Sequence, residues 1–409
     1  MAQAQHRRET RWQRRGQLRK VTSLRRVRNC GVPLDPEGGV TLAVTSNADG
    51  TRTAGYSGLA SCGSVWCCPQ CAAKIATRRA DELSTVMRAV DEAGGSAFLL
   101  TLTMRHDRGD RLGLTKDERK RLRQLEDNRA GYEAANANWW DFDEHQAEAD
   151  AIEENTLRQR RGCWDVLSDA WARVTSGGAW KADQELFGGL LGWARVVEVT
   201  DGDNGWHVHI HALLCFGAQV SAELVAGSVG ARMFSRWRAA LERKGFNASE
   251  EHGWDLRRVQ LGDGDLADYF TKIAYEVTGS HRKEGRRAGG RTPMQLLADA
   301  VDAQEETAMA RWWEWEQASE GRRQLTWSIG GRDLRKLAGL GAEVTDDEVV
   351  AEDLEGEVTL ELTSNDYCVL QRTQREPELL AVAEMGGLMA ARGWLRALGL
   401  GRSDEVDRL

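Results

Sequence analysis

Residues 205–214, GWHVHIHALL, restrict the fold of this 409-residue chain more than any other stretch. His207, His209 and His211 alternate there with Val208, Ile210 and Ala212. A strand turns successive side chains to opposite faces, so the three imidazoles share one face while the apolar residues enter a core. Helical backbone would scatter the rings around its axis, and the β-branched content also favours a strand. For a single histidine, a half-buried strand with a polar face would suffice. Three of the chain's eight histidines within five residues point instead to a shelf for a divalent metal, since imidazole is a usual ligand.

The preceding run, residues 190–200 (LLGWARVVEVT), reads as another strand, and residues 201–204 as the turn of a hairpin. Glu198 stands near the end of that first arm. Across the hairpin from two imidazoles, its carboxylate would complete a His-His-Glu site. Its facing depends on register, which spacing alone leaves open; a surface glutamate is the alternative.

Four of the eight cysteines, Cys62, Cys67, Cys68 and Cys71, fall within CGSVWCCPQC, and Cys30 lies upstream. No segment approaches the ~20 apolar residues of a membrane span and the N-terminus lacks an apolar signal core, so a cytoplasmic protein is expected. In a reducing compartment, clustered cysteines are more plausible as thiolate ligands than as disulfides. The spacing Cys68-Pro-Gln-Cys71 lets both sulfurs reach one tetrahedral zinc ion, with Cys62 as third ligand. Cys30 or Cys67 would be the fourth, and Cys30 is favoured because Cys67 abuts Cys68. A redox Cys-x-x-Cys pair is the competing reading, but the strand and helix such a motif needs are missing. Cys163, Cys215 and Cys368 are scattered and read as ordinary thiols.

The formal charge of -8 conceals an asymmetry: residues 1–29 hold ten arginines and lysines against Glu9 alone. Such a run suggests a disordered or loosely helical arm that follows a polyanion, or else a solvated tail. Residues 72–93 read as an amphipathic helix ending at Gly94-Gly95, and residues 97–104 (AFLLTLTM) as a buried strand. His106 and Asp107 follow it, exposed at its end. Residues 112–185 look like a helical insertion, with Trp164, Leu167, Trp171 and Val174 on one side. A helix and the strand-like residues 254–261 come after the histidine strand. In DLADYFTKIAYEV, residues 265–277, the apolar positions have helical spacing, and Lys272 lies three residues from both Tyr269 and Tyr275. Beyond it come a basic loop at 281–291 and a helical stretch with Trp312, Trp313 and Trp315, for which burial is favoured over base stacking. The tail from Val344 is acidic.

Taken together, FLLTLT at 98–103, HVHIHALL at 207–214 and LADYFTK at 266–272 resemble the three ordered motifs of rolling-circle replication initiators of the His-hydrophobic-His (HUH) endonuclease superfamily. The resemblance is to the type carried by actinobacterial plasmids, where a cysteine cluster ending in CPxC precedes the first motif. It implies an α+β fold: a central antiparallel sheet with flanking helices, preceded by a small zinc module and followed by a helical region. The corresponding division is a basic arm (1–29), zinc module and helix (30–93), nuclease domain (94–280) with its insertion, basic loop and helical region (281–343), and acidic C-terminal region (344–409). The resemblance also implies strand nicking through a 5′-phosphotyrosine. Tyr269 would be the nucleophile, Lys272 its cationic neighbour, His209 and His211 with Glu198 the ligands of manganese or magnesium, and His207 an accessory ligand. Asp265, one turn before Tyr269, could orient a hydrolytic water. Cys30, Cys62, Cys68 and Cys71 would hold structural zinc. Partners would be single-stranded and origin DNA, with the host helicase and polymerase. Two other classes fit the residues: a transposase of the same superfamily with Tyr269 and Tyr275 as paired nucleophiles, and a non-catalytic zinc-dependent DNA-binding regulator.

Overall fold

The computed structural model describes residues 2–137, 143–259, 290–351 and 358–401. The chain is mixed α+β, built on a five-stranded antiparallel sheet with helices against both faces. Its strands are β3 (Ser96–Thr103), β4 (Leu190–Gly202), β5 (Gly205–Phe216), β6 (Trp254–Val259) and β7 (Leu325–Trp327), in the order β6-β3-β5-β4-β7. The histidine strand is thus the central one. A smaller three-stranded sheet joins β1 (Val40–Ser46) and β2 (Arg52–Ser57) to β8 (Val358–Leu362).

Strands β4 and β5 form the expected hairpin. Gly205 sits at φ +86°, left-handed backbone that favours glycine, and a β-carbon there would come within 3.0 Å of the Asp107 carbonyl oxygen. The alternation of each strand then sorts two cores. On one face, Leu99, Val196 and Leu213 pack with Leu83, Val86, Met87 and Val90 of the Pro69–Glu92 helix. On the other, Leu100, Val197, Val199, Val208, Ile210 and Ala212 share a core with Trp164, Leu167, Trp171 and Trp237. Both sides of β5 are covered, which explains why its intervening residues are so uniformly apolar.

The 112–185 stretch is helical as anticipated: Lys116–Ala137 packs on Glu144–Gln159, and Cys163–Val174 buries its tryptophan face on the sheet. Indoles tie separate segments together. Trp66 beside the cysteines meets Trp164 at a ring separation of 4.9 Å and Trp315 at 5.6 Å, while Trp206 of β5 stacks on Trp315 at 6.4 Å. Trp312 and Trp315 are fully buried, and Trp313 is half-exposed with its indole N–H donated to the Val21 carbonyl.

The basic N-terminus differs from the loose arm anticipated for it. Ala2–Val21 is a helix with Leu18 fully buried, and its arginines are engaged by carboxylates far along the chain. Arg8 forks onto Glu384 at 2.7 and 2.8 Å, Arg14 meets Asp302, and the buried Arg15 pairs with the buried Glu376 at 3.0 Å. Carboxylates from the last third of the chain therefore neutralise three arginines of the run, which charge counting along the sequence could not foresee. Removing one member of a buried pair strands the other, at a cost of about 3 kcal/mol. Glu376→Leu should lower unfolding free energy by about that amount in urea titrations, and Arg15→Met/Glu376→Leu should recover most of it.

Candidate metal centres

Two groups of ligand-type side chains converge among the described residues. The first is Cys30, Cys62, Cys68 and Cys71, all buried. Cys68 is the residue before the Pro69–Glu92 helix, and Pro69 starts it without wasting a backbone donor. Cys71 lies in the first turn, Cys62 on the loop ahead, and Cys30 just past the short Arg25–Arg28 helix. Cys30 Sγ is 3.5 Å from Cys68 Sγ and 3.6 Å from Cys71 Sγ, and Cys62 Sγ is 3.6 Å from Cys71 Sγ. These separations exceed a disulfide bond of ~2.0 Å. They match the edge of about 3.8 Å expected of a tetrahedron with ~2.3 Å zinc–sulfur bonds. Sulfhydryls of Cys62, Cys68 and Cys71, with the positive Arg15 near, hold the Cys30 thiol far below its ordinary range, while the thiols of Cys62 and Cys68 are pushed up in exchange. One anion shared by four sulfurs suits a cation at the centre. Cys67 points elsewhere: its Sγ is 3.6 Å from Ser319 Oγ, and burial pushes its thiol up to about 12.

The second group is Glu198, His209 and His211. Register places Glu198 opposite His209 and Val196 opposite His211, so the carboxylate falls on the imidazole face. Glu198 Oε2 is 3.0 Å from His209 Nε2 and 3.2 Å from His211 Nε2. Neighbouring vertices of an octahedron with ~2.1 Å bonds are about 3 Å apart, so the three atoms can share one divalent ion. Burial is the first cause that lowers the His211 pKa, which leaves its ring neutral and able to offer a lone pair at neutral pH. Thr101 of β3, paired with His211 across the sheet, lies with Oγ1 3.0 Å from His211 Nδ1. When Nδ1–H donates to that hydroxyl, Nε2 is left bare for a metal. His209 Nδ1 is buried without a hydrogen-bond partner, so packing and the Nε2 contact with Glu198 orient that ring.

His207 shares the face, its ring 5.0 Å from that of His209, yet it stands outside the converging trio. Its Nδ1 is 3.1 Å from His106 Nε2, and His106 Nδ1 is 2.8 Å from the Asn204 carbonyl oxygen. Sequence reasoning missed the Thr101 contact. Its trace was there, in threonines at alternate positions 101 and 103 of an otherwise apolar strand. Tyr269, Lys272, Asp265 and Tyr275 lie outside the described residues.

Two outcomes test these centres. Cys68→Ser should release bound zinc, read by atomic absorption, and unfold the segment around residues 30–93, whereas Cys67→Ser should retain both metal and melting temperature. Thr101→Val should weaken manganese binding to the histidine site by about 10-fold or more in calorimetric titration, with the fold intact by circular dichroism.

No family model matches the sequence, and no solved structure matches it. Curated relatives do. A protein from Streptomyces lividans named "Protein rep" is 29% identical over 368 residues, spanning 79% of this chain and 73% of the relative. A Streptomyces cyanogenus protein named "Neomycin resistance protein" is 30% identical over 200 residues, spanning 46% of this chain and 37% of the relative. The longer match makes this chain similar to a Streptomyces Rep protein over most of the length of both.

Proposed function

We propose that this chain initiates rolling-circle plasmid replication as an HUH-type nickase that cuts and rejoins one strand of origin DNA. The observation that carries the reading is the Glu198/His209/His211 trio, with two imidazole nitrogens of the central strand within 3.2 Å of one carboxylate oxygen of β4. A phosphodiester needs a nucleophile, neutralisation of the phosphoryl oxygens and orientation of the reacting atoms. A divalent ion held by the trio, manganese or magnesium, would supply Lewis-acid polarisation of the scissile phosphoryl oxygen. In this reading Tyr269 Oη attacks phosphorus and the bond to the 3′-oxygen breaks. The phenolic proton passes to solvent and the 3′-oxygen takes up a proton, leaving a 5′-phosphotyrosine and a free 3′-hydroxyl for the host polymerase. Lys272 would offset the phenolate charge, and Asp265 would orient the water or hydroxyl that later resolves the adduct. His207, held by His106, would border the site as an accessory ligand. The Cys30/Cys62/Cys68/Cys71 zinc would fix the start of the helix that covers the metal face. Residues 94–280 would form the nuclease, interrupted by the helical insertion.

The relative named Rep supports the plasmid-replication part of this reading. Among the described residues, no helix is long and apolar enough to cross a membrane, in keeping with a DNA substrate. His209→Ala should abolish nicking of supercoiled origin plasmid, a loss of at least 100-fold, while binding of origin DNA changes little. Tyr269→Phe should eliminate the covalent adduct with single-stranded origin DNA, and Tyr275→Phe should retain it. Nicking that survives EDTA, or an adduct peptide mapping to Tyr275, would overturn the assignment.

A further inference from the structure

Among the described residues Arg195 has no counter-charge, and we propose that it forms a phosphate-binding subsite on the face of the sheet opposite the metal centre. Its place on β4 is three residues before Glu198, an odd separation that sends the two side chains to opposite faces. Arg195 pairs with Ala212 of β5 on one side and Thr326 of β7 on the other, about 10 Å along the strand from Glu198. The subsite is therefore separate from the metal centre, and a phosphate held there is not the scissile one.

Arg195 and the neighbouring Trp171 hold three N–H donors with no acceptor among the described residues. Arg195 Nε and Nη1 are shielded from solvent without a hydrogen-bond partner, and so is Trp171 Nε1. The Arg195 guanidinium carbon lies 5.8 Å from the Trp171 ring, whose edge meets the half-buried Trp193 at 5.1 Å. A cation–π contact at that distance is near the limit of the interaction and satisfies none of the donors. Burial alone acts on the guanidinium, lowering it to about 10, so it stays charged at neutral pH.

Unbonded guanidinium N–H groups recur on Arg161, Arg236 and Arg335, but each of those side chains has a carboxylate partner. Arg15 has Glu376, Arg79 has Glu82 and Asp346, Arg322 has Asp165, and Arg335 has Glu82. The half-buried Arg119 has no carboxylate but is bonded by three carbonyls; Arg195 has neither kind of acceptor among the described residues, which marks a place for an anion from outside. The planar guanidinium fork suits two oxygens of a phosphate. The shared chemistry is a phosphate group, either from a DNA backbone or free in solution. Its assignment to DNA rests on the replication reading above; the anion site itself does not.

The experiment uses the full chain and two probes, inorganic phosphate and a single-stranded 20-mer in phosphate-free buffer. Phosphate, exchanged for chloride at constant ionic strength, should raise the melting temperature of the wild type and leave that of Arg195→Met unchanged. With the 20-mer, Arg195→Met should lose about tenfold in affinity, and the slope of log K against log salt should fall by about 0.7, the share of one single-strand phosphate contact. Arg195→Lys should retain part of both responses. A response to inorganic phosphate alone supports the subsite and assigns it to a free anion. Equal anion stabilisation in wild type and Arg195→Met, together with unchanged DNA affinity and salt slope, would overturn it. So would a loss of stability in chloride alone shared by the Met and Lys variants, which would make Arg195 a packing residue. Neither probe reads strand cleavage, so a failure of the nickase reading is told apart from a failure of this one.

Discussion

The antiparallel register of β4 on β5 is the constraint on which the candidate chemistry depends. It sets Glu198 against His209 and Val196 against His211. A slip of one residue would send Glu198 into the tryptophan core and bring Val197 or Val199 to the imidazoles. Burial on both faces resists that slip, since each alternate set of β5 already fills its own core. The tight turn at Gly205 resists it as well, because the chain there runs so close to Asp107 that a longer or bulkier loop has no room.

From that hairpin, positioning spreads outward. Strand β3 sits beside β5 and carries Thr101 to His211, so one hydroxyl reaches the ring from the far side while a carboxylate reaches it from the near side. The Pro69–Glu92 helix lies over the same face, and its first turn is held by the cysteine group. The four thiols thus sit at the start of the helix that packs on the histidine face of the sheet. Trp66, next to those cysteines, packs with Trp164 of the insertion and Trp315, which itself stacks on Trp206 of β5. Aromatic pairs of this sort add roughly 0.5–1.5 kcal/mol each beyond area burial. Their arrangement makes segments hundreds of residues apart share one core.

The chain's ends are bound in the same way. Strand β8 completes the small sheet begun by β1, and the arginine-rich first helix lies against the helix Glu376–Ala397 through ion pairs. Charge that looks like a nucleic-acid arm when counted along the sequence is in part consumed within the fold, where Arg8, Arg14, Arg15 and Arg26 have carboxylate partners. The arginine proposed to take an outside anion, Arg195, stands instead in a strand with no basic neighbours in sequence to draw notice to it.

What the amino-acid sequence determined by itself was whatever short-range periodicity encodes. The alternation of His207, His209 and His211 dictated a strand with one imidazole face. The CPxC spacing and the isolation of Cys30 made a four-thiol group the natural solution, and the helical spacing of Trp164, Leu167 and Trp171 specified an inward face. Only tertiary structure decided which distant residues complete those patterns. Glu198 needed a register, Thr101 needed a neighbouring strand, and Arg15 needed Glu376 from 361 positions away. Such contacts arise from strand order and helix docking, which depend on how whole cores pack. No local pattern carries that information, because a threonine on a strand or an arginine on a helix has the same sequence signature whichever partner the fold brings to it.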